Sequence, residues 1–314
     1  MAQSDIGIVS GIDDNYVYPF LIMLNSARKN TLRKLNVSLG YNTNSLSSQS
    51  KKKVTKIARV LGTDINWIEL NFNLETNIPT GSHVTEASYF RLLLADNLPE
   101  TFLWLDSDII LFENWDSIFE FNDHNLSETI AFAVQDPIVV EEHDFKESNS
   151  AVRLAGKNYF NAGVVIIDPK LWRSNQLDVI WKNLISDYSK LGFMFQDQDI
   201  LNYVLLGKTK MIPLPYNHLV TRTQASYETY PYIAHFAGAV KPWHIPPYFL
   251  WRLPSETRHL YQAHYYYIRD LIFKVAKKDP ILSLFLIYHF LKSFNLSNLA
   301  RVVFHKLKSF IKNF

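Results

Sequence analysis

Asp106 and Asp108 stand two apart at the end of the apolar run 101–105. In extended chain such side chains point to one side, about 6.6 Å apart, so both carboxylates can serve one metal ion. Alone, the pattern also closes ordinary solvated turns, and the Gly and distal Glu of a calcium-binding EF-hand loop do not follow it. Far along the chain, His235, Gly238 and Lys241 fall within seven residues. A neutral imidazole can join two carboxylates on a divalent cation, and mixed nitrogen and oxygen ligation suits manganese better than magnesium or calcium. Glycine lets backbone approach phosphate oxygens, and lysine offers a compact positive charge to a diphosphate. Asp197, Gln198 and Asp199 open an expected helix, where carboxylates also serve as caps. Asn161 stands at a strand edge. Asp13, Asn15 and Tyr16 follow the first strand, where a carboxylate can accept the imide N–H of a uracil and a ring can stack on its face.

These residues need elements to hold them. Residues 6–10 read as a buried strand and 16–28 as an apolar-periodic helix, a βα unit. Residues 36–41 read as a second strand, 47–61 as a basic amphipathic helix and 64–70 as a third strand. A helix is expected over 89–95, a strand over 101–105, another over 164–168 and a helix over 200–206. Alternating strands and helices predict a mostly parallel sheet with helices on both faces, and ligands gather beyond the carboxyl ends of such strands. The polar stretch 140–158 reads as a long loop able to close over a site.

Composition bounds the rest. At 47% hydrophobic and 20% charged over 314 residues the chain is globular, and its formal charge of +2 is too small to imply nucleic acid. The absence of cysteine removes disulfides, thiolate metal sites and cysteine nucleophiles, and fits a reducing cytosol. No signal-peptide pattern opens the sequence, so a cytoplasmic location is expected. Residues 280–314 carry +5, which sets residues 1–279 at −3 against the total of +2. From Ser297, residues Leu299, Val303, Leu307, Phe310, Ile311 and Phe314 recur at helical spacing, with Arg301, Lys308 and Lys312 elsewhere on the wheel. Such a helix either packs on the body or lies on an anionic membrane surface, which would make the protein peripheral at the inner face of the membrane. The apolar run 281–291 is about half the length of a spanning helix. Residues 1–249 are therefore read as the catalytic body and 250–314 as a helical, basic and aromatic appendage.

Six motifs in order, DDNY at 13–16, YFRLLLAD at 89–96, WLDSDII at 104–110, YFNAGVVIID at 159–168, QDQDILN at 196–202 and HFAGAVKPWH at 235–244, closely resemble the family 8 glycosyltransferases. Within that family the chain is similar to bacterial lipopolysaccharide-type galactosyl- and glucosyltransferases. The resemblance covers residues 6–245, about three quarters of the chain. It implies a GT-A fold, an α/β domain around a mixed, mostly parallel sheet flanked by helices, and transfer of a hexose from a UDP-sugar with retention of configuration. By the same resemblance Asp106, Asp108 and His235 would hold manganese, or magnesium in its place, and Gly238 and Lys241 would contact the diphosphate. Asp13, Asn15 and Tyr16 would hold the uridine, and Arg91, Asn161, Asp197 and Gln198 would line the sugar pocket. By the same resemblance Gln198 would lie at the position nearest the anomeric carbon. An amide is a poor nucleophile, which favours a front-face reaction with Asp197 positioning the sugar, and leaves Asp197 as a nucleophile after a shift as the alternative. His83 and Asp136 are candidate contacts to a glycan, glycolipid or glycoprotein acceptor. A metal-dependent sugar-nucleotide hydrolase or nucleotidyltransferase would use the same Asp pair and lysine, and a noncatalytic sugar-binding protein could share the scaffold. No Gly-rich phosphate loop follows the first strand, which speaks against the nucleotidyltransferase.

Overall fold

In a computed structural model of the chain the described residues are 6–70, 86–121, 128–142, 150–186, 188–191, 193–220, 230–238 and 241–292. The chain opens with β1 (Ile6–Gly11), α1 (Val17–Lys29), β2 (Leu35–Tyr41), α2 (Ser48–Val60) and β3 (Ile65–Glu69). Ser47 starts α2 by accepting the Ser50 N–H at 3.2 Å, which satisfies one of the free donors of a helix N-terminus. Next come α3 (Phe90–Asn97), β4 (Phe102–Leu105) and β5 (Ile109–Leu111). Then follow β6 (Ala131–Gln135), α4 (Pro137–Glu142), α5 (Ser150–Ala155), β7 (Phe160–Ile167), α6 (Pro169–Ser174), α7 (Leu177–Ser186) and α8 (Asp197–Val204). The described part ends with β8 (Thr209–Met211), β9 (His218–Leu219), β10 (Ile233–His235), α9 (Ser255–Ala276) and α10 (Pro280–Lys292).

Seven strands form the main sheet in the order β3-β2-β1-β4-β7-β6-β8. The first four run parallel, β7 runs antiparallel to both β4 and β6, and β8 returns parallel to β6. Successive side chains of a strand face opposite sides, and here both sides are buried. Ile8, Leu103, Leu105, Val164 and Ile166 join one apolar cluster with α1, α2, α9 and α10. Val9, Phe102, Trp104, Val165 and Ile167 join a second with α3, α6, α7 and α8. A sheet covered on both faces explains why these strands are continuous apolar runs rather than alternating ones.

A smaller sheet, β5-β10-β9, stands beyond β4 and was not foreshadowed by sequence pattern, because its strands are two or three residues long. The stretch 140–158 is also not the long loop expected of it. Its described parts are helical, the end of α4, then α5 and a 3-10 turn at Gly156–Asn158.

After residue 250 the chain stays helical and shares the first cluster. On α9, Leu260, Tyr261, Tyr267, Ile268, Leu271 and Val275 form a buried stripe at helical spacing. Polar ties fix it to α1: Asn25 Nδ2 donates to the Tyr267 carbonyl at 3.0 Å, Asn30 Nδ2 to the Tyr267 hydroxyl at 2.6 Å, and Lys29 pairs with Asp270 at 2.9 Å. No helix among the described residues is long and apolar enough to cross a membrane. The tail 297–314 and its expected helix lie outside the described residues.

Candidate active site

The chain leaves the main sheet at Leu105, the end of β4, and enters the small sheet at Ile109. The Asp pair therefore occupies the seam between the sheets. The Asp106 N–H is held by the Gly163 carbonyl at 2.9 Å on β7, and the Asp108 carbonyl takes the Phe236 N–H at 3.0 Å just past β10. β10 pairs antiparallel with β5, placing His235 opposite Ile109 and so beside the pair. His235 Nε2 lies 3.3 Å from Asp108 Oδ1 and 3.9 Å from Asp106 Oδ2. One ligand atom from each of the three residues falls within 4.8 Å of the others, a donor set of two carboxylates and an imidazole that a divalent cation accepts. Gly163 makes room for it: a Cβ there would sit 2.2 Å from His235 Cε1 and 3.0 Å from Asp106 Oδ2.

Lys241 pairs with Asp108 Oδ2 at 2.6 Å and also donates to the Phe236 carbonyl at 2.8 Å. Burial pushes the Asp108 carboxyl up, but the Lys241 ammonium and the His235 ring outweigh it and hold the group well below the usual carboxylate range.

Arg91, buried on α3, ties the metal-type cluster to a second group of polar residues. Its guanidinium pairs with Asp106 Oδ1 at 3.0 Å and Asp197 Oδ2 at 3.0 Å, donates to the Ala162 carbonyl, and lies 4.9 Å from the centre of the Trp104 ring. Trp104 Nε1 donates to the same Asp106 oxygen at 2.7 Å. Burial raises the Asp197 carboxyl, Arg91 opposes that, Asp106 adds to it, and the group ends at about 6.

Gln198 is held at both ends of its amide. Its Oε1 accepts from Asn161 Nδ2 and from the Ala162 N–H, each at 3.1 Å, and its Nε2 donates to Asp136 Oδ2 at 3.2 Å and to the Tyr159 hydroxyl at 3.3 Å. Tyr159 donates in turn to Asp199 Oδ1 at 2.7 Å. Asp199 does the work of a cap, its Oδ2 taking the Met194 and Phe195 N–H groups at 2.6 Å each. Between them and α8, Gln196 sits at φ 46°, a conformation that costs a non-glycine residue about 1–3 kcal/mol and clusters at functional sites.

A cavity of about 380 Å³ collects these groups, lined by Arg91, Asp106, Asp108, His235 and Lys241 together with Asp136, Asn161, Asp197 and Gln198. Tyr16 and Gly238 also line it, and so does Ser107, whose buried hydroxyl has no hydrogen-bond partner among the described residues. Asp13 and Asn15 do not line it; Asp13 Oδ1 takes the Asn15 and Tyr16 N–H groups at 2.9 and 3.1 Å and so shapes the turn that presents Tyr16. Asp136 lines the cavity with its Oδ2 already taken by Asn161 and Gln198. His83 lies outside the described residues. Sequence reading passed over Asn217, which bonds His235 Nδ1 and Asn161 Oδ1, each at 3.0 Å. It belongs to no motif, and only the pairing of β9 with β10 brings it beside His235.

The family model of glycosyl transferase family 8 matches residues 7–245, the span that supplies every residue of this cavity. The chain belongs to that family. General stress protein A of Bacillus subtilis is 26% identical over 83% of this chain and 91% of its own length. The lipopolysaccharide 1,2-glucosyltransferase of Escherichia coli and the lipopolysaccharide 1,3-galactosyltransferase of Salmonella typhimurium are each 24% identical over 76% of this chain, and over 73% and 72% of their own lengths. Among solved structures, the galactosyltransferase LgtC in complex with donor and acceptor sugar analogues aligns with a TM-score of 0.67 at 21% identity. It covers 82% of this family 8 chain and 94% of its own. The fold is GT-A, with the mixed sheet and flanking helices described above.

Proposed function

We propose that this family 8 glycosyltransferase moves a hexose, galactose or glucose, from a UDP-sugar to a hydroxyl of a glycan, glycolipid or glycoprotein acceptor, with retention of configuration. The observation that carries the reading is one cavity in which Asp106, Asp108, His235 and Lys241 gather, and in which Arg91 bridges them to Asp197, next to Gln198. Asp106, Asp108 and His235 would hold a divalent ion, manganese by donor set, which supplies Lewis acidity to a departing diphosphate.

The chain's own residues do the rest. Lys241 brings a positive charge to the diphosphate, and Gly238 lets backbone approach it. Tyr16 offers its ring to the uracil from the turn that Asp13 shapes, beside Asn15. Arg91 neutralises Asp106 and Asp197 and keeps them from repelling one another. Gln198 presents an amide oxygen fixed by two N–H donors, which stabilises positive charge at the anomeric carbon without forming a bond to it. The acceptor oxygen then bonds to that carbon on the face from which UDP leaves, as the bond to the diphosphate oxygen breaks, and the acceptor's proton passes to that oxygen. Asp197 takes hydrogen bonds from the sugar hydroxyls, Asp136 faces the acceptor, and His83 is the further candidate for an acceptor contact.

The test is calorimetric titration with UDP, with and without manganese, on the native chain and on Asp108→Ala. Manganese-dependent binding by the native chain and none by the variant is expected, followed by UDP release from UDP-galactose or UDP-glucose that requires an acceptor. No UDP binding under either condition overturns the reading.

A further inference from the structure

Asn217 ends a 3-10 turn at Leu214–Asn217 and immediately precedes β9, whose Leu219 pairs with His235. It is 1% exposed. Its two amide atoms face different sheets, His235 on β10 and Asn161 on β7, so the polarity of the amide decides what each neighbour must be.

That polarity can be worked out from fixed points. The Gly163 backbone N–H is a donor and lies 3.0 Å from Asn161 Oδ1. The opposite end of Asn161 lies 3.1 Å from Asp136 Oδ2, and a carboxylate oxygen asks for a donor there. Both constraints set Asn161 with its oxygen toward Gly163 and its nitrogen toward Asp136. The Asn217 atom 3.0 Å from that oxygen must then be its nitrogen, which leaves its oxygen 3.0 Å from His235 Nδ1. His235 can satisfy that oxygen only by carrying a proton on Nδ1. In the neutral ring the lone pair is then on Nε2, the atom turned toward Asp108 and Asp106.

We propose that Asn217 is the positioning residue of the metal centre: its oxygen selects the His235 tautomer that offers Nε2 to a divalent cation, and its nitrogen locks Asn161, which in turn holds Gln198. The proposal rests on the metal reading given above, and assigns to one side chain the link between the metal ligands and the sugar pocket. Such partners of a metal-bound histidine change metal affinity about 10- to 100-fold when lost.

The two arms separate by substitution. Asn217→Leu removes both, whereas Asn217→Asp keeps an acceptor for His235 Nδ1–H and removes the donor to Asn161. Manganese binding by the full-length chain is measured by electron paramagnetic resonance of the free ion, alongside thermal melting and the kcat and KM of transfer. Asn217→Leu is expected to weaken manganese binding about 10-fold or more. Asn217→Asp is expected to bind manganese at least as well as the native chain and to lose kcat, because Asn161, one of the four partners of Gln198, loses the donor that fixes its oxygen and meets a carboxylate in its place. A folded Asn217→Leu with native affinity overturns the proposal. So does an Asn217→Asp protein in which affinity and kcat are both kept or both lost, whatever the leucine variant does. If the native chain binds no manganese, the metal reading fails and takes the proposal with it, an outcome distinct from native binding that is indifferent to Asn217.

Discussion

At residue scale the site is crowded to the limit of its smallest member. Gly163 has no left-handed conformation to explain it; what it supplies is space, since a Cβ would press on the His235 ring at 2.2 Å. The ring belongs to a strand end bonded on both sides and has little freedom to retreat. Gly163→Ala is therefore expected to fold while losing manganese-dependent UDP binding by about 10-fold or more, read by calorimetry, because displaced metal ligands cost affinity on that scale. A native affinity in this variant would show that the ring relaxes freely. The motif residues themselves were legible from the sequence, since acid pairs, a histidine and a lysine announce their chemistry by type. What sequence could not show is who holds them. Gln198 reads from the sequence only as an amide in the sugar pocket, yet four hydrogen bonds fix it, and Asp199, as acidic by type as Asp197, is committed to the Met194 and Phe195 N–H groups. Those partners come from β7, from the Asp136 and Tyr159 side chains just past β6 and just before β7, and from the backbone, and no spacing along the chain encodes them.

At the scale of elements, long apolar strands and periodic helices were predictable, and β1, α1, β2, α2 and β3 fall within a residue or two of their expected bounds. The misses share one physical cause. β5, β9 and β10 hold two or three residues each and owe their existence to pairing with one another, and the described parts of 140–158 are short helices whose polar sequence shows no dominant stripe. Helix α9 shows what long-range packing adds. Leu271 is fully buried on it, within the cluster that also holds α1. Leu271→Ala is expected to cost about 2–5 kcal/mol in urea denaturation, as for buried leucines generally, while leaving UDP affinity of the folded protein unchanged. A cost below about 1 kcal/mol would mean that α9 is only loosely laid on the body.

For the whole molecule, buried ionisable groups set the response to acid. His218 and His264 are buried and His289 partly so, and burial first of all pushes them down to about 4, 3 and 4. Each stays neutral when folded and protonates near 6.5 when unfolded, so the unfolded chain binds more protons between those values. Stability from these groups is complete above about pH 6.5 and is lost as pH falls toward 4. Asp197, raised to about 6 from 3.8, works the other way over 3.8 to 6, but it is one group against three. The melting temperature should therefore fall between pH 7 and pH 4.5, and His264→Phe, which replaces a ring whose buried Nε2 has no partner among the described residues, should flatten that fall. A variant curve parallel to the native one would remove His264 as a cause. The pairing of α1 with α9 has a consequence in time as well. The bond from Asn25 to Tyr267 spans 242 positions of sequence. At a synthesis rate of about 5–20 residues per second, the first helix leaves the ribosome roughly 12 to 50 seconds before the segment that covers it. For that interval α1 can pack on α2 and β5, which emerge long before α9, but the part of its face that α9 covers stays open until the last third of the chain is made.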